Sequence, residues 1–189
     1  MMNEIEFCIH ERTNILPKRL TTPAPTEEQL IRLVSAACAA PDHRQIQPWR
    51  LINISMESRH LLADVFETDL RRRDSNASED ECLQARSKAF RSPLLIVAIC
   101  RLIDEHSEIH LFERLTSLGC AVQNILLTAT SMGYGASLTT GKAIHSPELH
   151  ALCKLSRHEV AVCFLSIGTI DSRPKSKVRP THSDVLSTI

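Results

Sequence analysis

A continuous apolar segment near the middle of the chain places the strongest constraint on its fold. Residues 93–100 have the sequence PLLIVAIC, and no polar residue interrupts the segment between Pro93 and Arg101. Unbroken, β-branched segments of this length are typical of strands buried on both faces of a sheet. The segment is also far shorter than the roughly 20 residues needed by a membrane-spanning helix. It predicts a buried strand, and residues 160–167 predict a second one.

Helical patterns surround these strands. Thr26 and Gln29 have the spacing of a capping box, and the helix that they begin should end near Ala40 because Pro41 follows. Further segments are then predicted: helices over about 2–12, 112–132 and 147–153, two helices within 57–90 separated by a charged surface excursion, and short strands at 50–54 and 136–140. Helices that frame separated strands indicate a mixed α/β or α+β layer fold.

Length and charge limit the number of domains and the class of partner. The chain has 189 residues, of which 43% are apolar, so one domain spanning 1–189 is expected. Twenty-two Lys and Arg residues balance 22 Asp and Glu residues, so no overall field would attract nucleic acid or an anionic membrane. We therefore expect neither as a partner. A small neutral or anionic ligand fits better.

Cysteine usage and the N-terminus predict a cytoplasmic protein. The seven cysteines form no CxxC pair and are odd in number, which suggests neither a disulfide framework nor a standard zinc site. Most have apolar neighbours, where a reduced thiol behaves as a small hydrophobe. The first residues include Glu4 and Glu6 and lack the apolar run of a signal peptide.

Three polar segments interrupt the apolar elements and are candidates for ligand binding. Residues 10–13 with Lys18 and Arg19 could bind a phosphate, although solvated charge is the commoner explanation of such clusters. Residues 41–49 could bond a heteroaromatic ring, whereas Trp49 within them should pack into the core or an interface. The glycines of residues 133–141 permit close approach to a ligand or simply form turns.

No metal site is predicted. His106 and His110 are spaced to ligate a metal from one helical face, but no third ligand is apparent, and a solvated helix start is the favoured interpretation. A nucleophile elbow, a P-loop and a dinucleotide-binding GxGxxG motif are all absent from the sequence. Serine hydrolases, NTPases and classical dehydrogenases therefore lack support.

Four blocks taken in order are more specific than any one segment. The blocks are PAPTEEQL at residues 23–30, APDH at 40–43 with QPW at 47–49, GCAVQN at 119–124, and FLSIGT at 164–169. Over nearly the whole chain they resemble the FMN-dependent nitroreductase family, particularly its small, single-domain NAD(P)H nitroreductase members. The resemblance implies an α+β, nitroreductase-like fold with a central mixed sheet flanked by helices.

The resemblance also implies a homodimer with FMN at the subunit interface. Arg12 and Thr13 correspond to the family's Arg-Arg-Ser element, which holds the phosphate and ribityl chain. His43 and Gln47 would reach the flavin of the second subunit. The loop beside the cofactor would comprise Leu138, Thr139 and Thr140. The C-terminal segment, about residues 179–189, would cross onto the partner and extend its sheet.

Two positions depart from the family pattern. Glu11 replaces the first Arg of the phosphate element, and Thr139 replaces an Arg of the loop. Two cations expected around a dianionic phosphate are therefore missing, and a carboxylate at position 11 would oppose binding unless it points to solvent. Extra residues at 14–17 could bring Lys18 or Arg19 into the vacant place.

The implied reaction is hydride transfer from NAD(P)H through flavin N5 to a small electrophilic acceptor such as a nitroaromatic or a quinone. This chemistry belongs to the flavin, so no catalytic side chain is expected. Two alternatives stay open. One is a flavin-dependent oxidase or dehydrogenase of a biosynthetic substrate. The other is a degenerate, flavin-free family member that acts as a binding subunit.

Overall fold

The computed structural model describes residues 2–103, 108–175 and 178–189. Their strands form a five-stranded sheet, and six α-helices lie among the described residues. The strands are β1 (Leu20–Thr21), β2 (Trp49–Asn53), β3 (Leu94–Arg101), β4 (Gly135–Thr139) and β5 (Glu159–Ile170). The helices are α1 (Glu4–Glu11), α2 (Glu27–Cys38), α3 (Arg59–Arg73), α4 (Glu79–Ser87), α5 (Leu111–Ser131) and α6 (Pro147–Leu152). The α+β prediction is confirmed.

Strand β5 organises the sheet because it pairs with β1, β3 and β4, while β2 pairs with β3 on the far side. Each of these pairs is antiparallel. Among the described residues, parallel pairing is limited to the isolated bridge between Asn14 and Ala136, which is not a pairing of two strands. The five strands therefore form an antiparallel sheet and not the central mixed sheet that the resemblance implied. The two segments predicted as buried strands are the ones that form β3 and β5.

One face of the sheet is covered by α2 and α5. Leu33 of α2 and Ile125 of α5 are fully buried in the same cluster as Leu165 of β5. Trp49 belongs to this core, as the sequence suggested, and its indole Nε1 donates to Ser117 Oγ at 3.2 Å. This layer therefore satisfies both the apolar and the polar parts of the buried tryptophan.

The other face is covered by α3 and α6. Leu62 of α3 and Leu149 of α6 are fully buried against Val97 and Phe164 of the two central strands. Residues of β3 alternate between the two clusters, so both faces of the strand are occupied. That arrangement explains why the segment is apolar without interruption.

The charged segment between α3 and α4 is exposed, as predicted, but its irregular part is shorter than the sequence suggested. Helix α3 continues to Arg73, and residues 74–78 form a tight turn into α4. Arg71 bonds Glu67 at 3.0 Å and Glu79 of the next helix at 2.8 Å, and Arg86 reaches back to Glu67 at 2.7 Å. The charges pair between the two helices, so their pattern indicates a helix–helix contact and not an unpaired solvated face.

Helix ends follow the sequence signals. Thr26 Oγ1 accepts from the Gln29 amide, and the Gln29 side chain accepts from the Thr26 amide, which confirms the capping box. Gly133, with φ of +83°, follows the end of α5 and supplies the left-handed conformation common after helices. His110 caps the start of α5 through its ring, whereas His106 lies outside the described residues.

The start of the C-terminal segment is attached to the chain's own first helix. Arg179 Nη2 donates to the carbonyls of His10 and Arg12, both at 2.7 Å. The residues after it are exposed, including Val185 and Leu186. Crossing of the segment onto a partner stays a prediction.

Two further findings concern helices and thiols in the described part of the chain. No helix there is long and apolar enough to cross a membrane. All seven cysteines are free, and burial raises the pKa of Cys100 and Cys163 to about 11, so both are neutral thiols at physiological pH.

The ion pair between Arg50 of β2 and Glu159 of β5 generates a pH-dependent prediction. Arg50 Nε lies 2.6 Å from Glu159 Oε1, and this bond lowers the pKa of Glu159 from 4.5 to about 2. A lowered folded-state pKa adds stability above pH 4.5 that is lost as the pH falls towards 2. After allowance for the solvent access of Arg50, Glu159→Gln should lower the free energy of unfolding at pH 7 by about 1–2 kcal/mol.

The difference between wild type and Glu159→Gln should disappear between pH 4.5 and 2 in urea unfolding followed by circular dichroism. A difference that stays constant to pH 2 would contradict this assignment, because carboxylates other than Glu159 titrate equally in both proteins.

Candidate functional site

A cavity of about 560 Å³ lies between helices α3 and α4 and the sheet. Its volume is within the range of about 300–1,000 Å³ that is usual for small-molecule sites. Side chains of α3, α4, β3 and β5 line it, together with Pro17 and residues 139–143. The cavity is therefore bounded mainly by regular elements.

Two phenylalanines form the aromatic part of the wall. Phe66 of α3 and Phe164 of β5 meet edge to face, with ring centroids 5.9 Å apart and planes at 81°. Leu70 and Leu95 extend the apolar surface beside them. Such a wall suits a flat ligand, because aromatic and aliphatic faces bury a planar ring without demanding hydrogen bonds.

Cations dominate the polar part of the wall. The four cationic lining residues are Arg73, Lys88, Arg91 and Lys142, and the two acidic ones are Asp69 and Glu81.

Both acidic groups of the lining are already bound within the protein. Asp69 is almost fully buried and accepts from Arg72 at 2.6 Å and from Arg73 at 2.8 Å. Glu81 accepts from the amide and hydroxyl of Ser78, bonds that lower the pKa of Glu81. The lining has four cations and two carboxylates, so the cavity has an excess of positive charge, which favours an anionic ligand.

Strand alternation separates the three residues of the predicted loop. Thr139 pairs with Phe164 and lies in the cavity lining. Leu138 points to the opposite face of the sheet and is 42% exposed. Thr140, just after the strand, is exposed and outside the lining. Of the eight residues predicted to bind a cofactor, Thr139 is the one that lines this cavity.

The predicted phosphate element lies beside a second, smaller cavity. Thr13 and Glu11 line this space of about 40 Å³ together with Arg173. Arg12 is half-buried and its carbonyl accepts from Arg179, while Arg19 Nη1 donates to the Arg173 carbonyl at 2.9 Å. Glu11 is exposed, so its carboxylate is absent from the large cavity.

Residues 14–17 connect the two cavities. The backbone N–H of Ile15 donates to the carbonyl of Ala136 in β4, and Pro17 lies in the lining of the large cavity. A Cβ at Gly135 would lie 3.2 Å from Ile15 and 2.8 Å from the side chain of Leu20. Gly135 therefore permits close packing within the protein. The sequence had allowed two other roles for the glycines of this segment, close approach to a ligand or formation of a turn.

His43 and Gln47 occupy a strained loop held against the start of α5. His43 Nδ1 lies 2.6 Å from Glu113 Oε2, and this contact lowers the pKa of Glu113. The Gln47 backbone N–H donates to Asp42 Oδ2 at 2.6 Å. Arg44 and Gln47 both have positive φ, a conformation that is costly for such residues and clusters at functional sites. Neither His43 nor Gln47 lines the large cavity of its own chain, and their reach to a second subunit stays a prediction.

The comparisons with known proteins agree with this architecture. Residues 17–169 match the sequence model of the nitroreductase family. The chain belongs to the nitroreductase family. A protein of Escherichia coli K12 named "Putative NAD(P)H nitroreductase YdjA" is 31% identical over 169 residues, covering 89% of this chain and 88% of its own length. The resemblance drawn from the four sequence blocks is thus confirmed.

Solved structures show the same nitroreductase fold. A nitroreductase-like protein from Bacillus cereus is similar with a TM-score of 0.82 at 23% identity, over 100% of this chain and 97% of that one. A Desulfovibrio desulfuricans protein, described as a putative nitroreductase in complex with FMN, has a TM-score of 0.75 at 20% identity, over 100% and 99% of the two chains.

Sequence reasoning missed most of the cavity of this nitroreductase-family protein. Phe66, Leu70 and Arg73 follow one another at i, i+4 and i+7, so they share one face of α3. Gln84 of α4 and Lys88 and Arg91 of the segment that follows it have the same spacing, and all three line the cavity. The spacing was a usable signal, but the many charges in residues 57–90 concealed it.

Polar groups elsewhere in the site are a further test of what it can hold. Among residues 2–103, 108–175 and 178–189, no group of three or more His, Cys, Asp or Glu side chains could hold a metal ion.

Ser137 lies on β4 two residues before Thr139 and pairs with Ser166, which lines the cavity. Its hydroxyl is fully buried and has no hydrogen-bond partner in the part of the chain that the structure describes.

Ser137 and Ser117 form a matched pair for measuring the value of a partner. Ser137→Ala removes an unpaired hydroxyl, so in ligand-free protein the free energy of unfolding should stay the same or rise by up to about 1 kcal/mol. Ser117→Ala deprives the Trp49 indole of its acceptor and should lower that free energy by about 1–2 kcal/mol. Urea titrations of both variants would check the contrast. Equal destabilisation would mean that Ser137 Oγ has a partner in the folded protein.

Proposed function

We propose that this nitroreductase-family protein is an FMN-dependent oxidoreductase that holds the flavin ring in the large cavity. The observation that supports this most directly is the combination of an aromatic wall, Phe66 with Phe164, and an excess of unopposed cations in one space. FMN has a flat ring and a dianionic phosphate, so it needs both surfaces. The family membership and the FMN-bound Desulfovibrio desulfuricans relative support the same cofactor.

The donor set fits FMN despite the two departures from the family pattern. Lys88, Arg91 and Lys142 would supply positive charge that Glu11 and Thr139 do not. Glu11 lies outside the cavity, so its carboxylate does not oppose an anion there. This placement favours the flavoprotein over the degenerate, flavin-free alternative.

The residues predicted from the sequence keep their roles in the proposal. Arg12, Thr13 and Arg19 would hold the phosphate end, since residues 14–17 lead from the small cavity to the large one. Glu11 shares the lining of the small cavity with Thr13, so in this proposal its exposed carboxylate would face solvent. Thr139 would lie beside the ring, with Leu138 and Thr140 flanking it.

Bound FMN would supply hydride transfer at N5, taking hydride from NAD(P)H and giving it to a small electrophile such as a nitroaromatic or a quinone. The chain's own residues would bind and orient the reactants. Phe66 and Phe164 would exclude water from one side of the ring. The cations would favour added negative charge in a space where water screens it poorly.

The active form would be a homodimer that completes the site. Helix α1 has no buried residue, and its Ile5 and Phe7 are 72% and 58% exposed. Phe112 at the start of α5 is 71% exposed. Apolar surface of this kind usually marks an interface. A second copy would cover it and contribute His43 and Gln47 to the flavin, and the tail of residues 179–189 would cross between subunits.

The cofactor proposal predicts a yellow protein. The purified protein should show the visible absorption of oxidised flavin, release FMN on heating, and oxidise NADPH when a nitroaromatic acceptor is present.

Lys142→Ala should weaken FMN binding roughly tenfold, because a charge-assisted contact contributes about 1.5–3 kcal/mol. Lys154→Ala is the control, since Lys154 is exposed and outside the cavity lining. A colourless protein that fails to take up FMN would refute the proposal, and flavin loading with inertness towards nicotinamides would favour the oxidase alternative.

The dimer proposal predicts the effect of shortening the chain. Removal of residues 180–189 leaves Arg179 and its contacts with α1 in place, so the subunit should still fold, as measured by circular dichroism. The truncated protein should nevertheless be monomeric by light scattering. A flavin-loaded dimer that persists without these residues would show that the tail is not exchanged.

A further inference from the structure

Arg59 is a fully buried cation at the start of α3. Its Nε donates to the Ile54 carbonyl at 2.8 Å, and its Nη1 donates to the carbonyls of Ala89 at 2.7 Å and Ser92 at 3.0 Å. A longer bond of 3.4 Å joins Nη2 to the Pro93 carbonyl. Within the described part of the chain, all of its hydrogen-bond partners are backbone carbonyls.

Burial of a cation without a carboxylate partner is energetically unfavourable. Burial lowers the pKa of Arg59 to about 10, so the guanidinium is still charged at neutral pH. Taking an ion out of water is unfavourable unless its donors are well satisfied. An apolar side chain would avoid that cost but would leave these carbonyls without the donor that joins them. The value of Arg59 therefore lies in holding those four carbonyls in one place.

Three of the four carbonyls belong to the segment between α4 and β3. The same segment presents Lys88 and Arg91 to the large cavity. Neither side chain has a hydrogen-bond or ion-pair partner among the described residues. By contrast, Arg73 is held by Asp69 at 2.8 Å. The positions of Lys88 and Arg91 therefore depend on their backbone, and Arg59 ties that backbone to the end of β2.

We propose that Arg59 is a positioning residue that sets Lys88 and Arg91 at the wall of the cavity for ligand binding. The inference rests on the proposed function, since it takes FMN as the ligand of those cations. The guanidinium acts through the backbone of residues 89–93 and makes no contact with the ligand itself. A fork with several donors in fixed geometry suits this task, whereas a lysine offers one point charge.

The test measures FMN affinity in Arg59→Lys, Lys88→Ala and the double variant by quenching of flavin fluorescence. Lys88→Ala should weaken binding roughly tenfold through loss of a charge-assisted contact. Arg59→Lys keeps a positive charge but loses the fork, and it should weaken binding by a similar factor. If Arg59 acts through Lys88 and Arg91, the loss of affinity in the double variant should be smaller than the product of the two single losses, because coupled residues are not additive.

Leu62→Ala is the matched control for loss of stability. Leu62 lies on the same helix, is fully buried, and is outside the cavity lining. Its truncation removes apolar packing from the cluster that also contains Ala89 but leaves the hydrogen bonds of Arg59 in place, so FMN affinity should stay within about twofold at a temperature where circular dichroism shows folded protein. A loss of affinity in Leu62→Ala equal to that in Arg59→Lys would overturn the positioning role.

A glycine inserted between Arg91 and Ser92 tests the same idea with Arg59 intact, and it replaces Arg59→Lys if that variant does not fold. The insertion displaces the cations from their anchor and should also weaken FMN binding severalfold, since short segments set geometry closely. Unchanged affinity in Lys88→Ala would refute the placement of FMN in this cavity. Two results would refute only the inference about Arg59, provided that Lys88→Ala weakens binding. One is wild-type affinity in both the insertion and Arg59→Lys. The other is strict additivity of the losses of affinity in Arg59→Lys and Lys88→Ala.

Discussion

The pairing of β3 with β5 is the constraint on which the rest of the structure depends. Both strands are apolar on both faces, so each face needs a layer of helices. Helices α2 and α5 supply one layer, and α3 and α6 supply the other. The second layer is less complete, because the large cavity lies beside Phe164, between the sheet and helices α3 and α4. The candidate site is thus a space that the second helix layer leaves open on a sheet whose two faces are both apolar.

Strand register then decides which side chains can meet a ligand. Thr139 and Phe164 are paired neighbours on the cavity face, and Leu138 points to the other helix layer. A register slip of one residue would exchange these faces and would place the polar Ser166 in the apolar core. The core and the site therefore share one register. The burial of Leu165 and Ile167 beneath α5 strengthens the orientation of the cavity wall.

Local signals predicted the elements, whereas the site needed tertiary information. Segment 93–100 and the Thr26–Gln29 capping box follow from period, length and side-chain chemistry, and the structure agrees with both. The order of four sequence blocks was enough to indicate the family. The charges of residues 57–90 were misleading, because an ion pair between helices and a solvated charge look alike in a sequence. Only folding reveals that Arg71 spans two helices and that Lys88 faces a cavity.

The cavity is positively charged although the sequence lacks two arginines of the family pattern. A dianion responds to the summed field of nearby charges, so the element from which each cation comes matters less than its distance and its freedom from other partners. In this chain the lining cations come from α3, the α4–β3 segment and the turn after β4. Asp69 is paired with Arg72 and Arg73, whereas Glu81 is hydrogen-bonded to Ser78. Cations that come from separate elements keep their positions around the cavity only if the backbone between those elements is fixed. The buried guanidinium of Arg59, bonded to the carbonyls of residues 89, 92 and 93, meets that requirement where the segment has no regular structure beyond a single 3₁₀ turn.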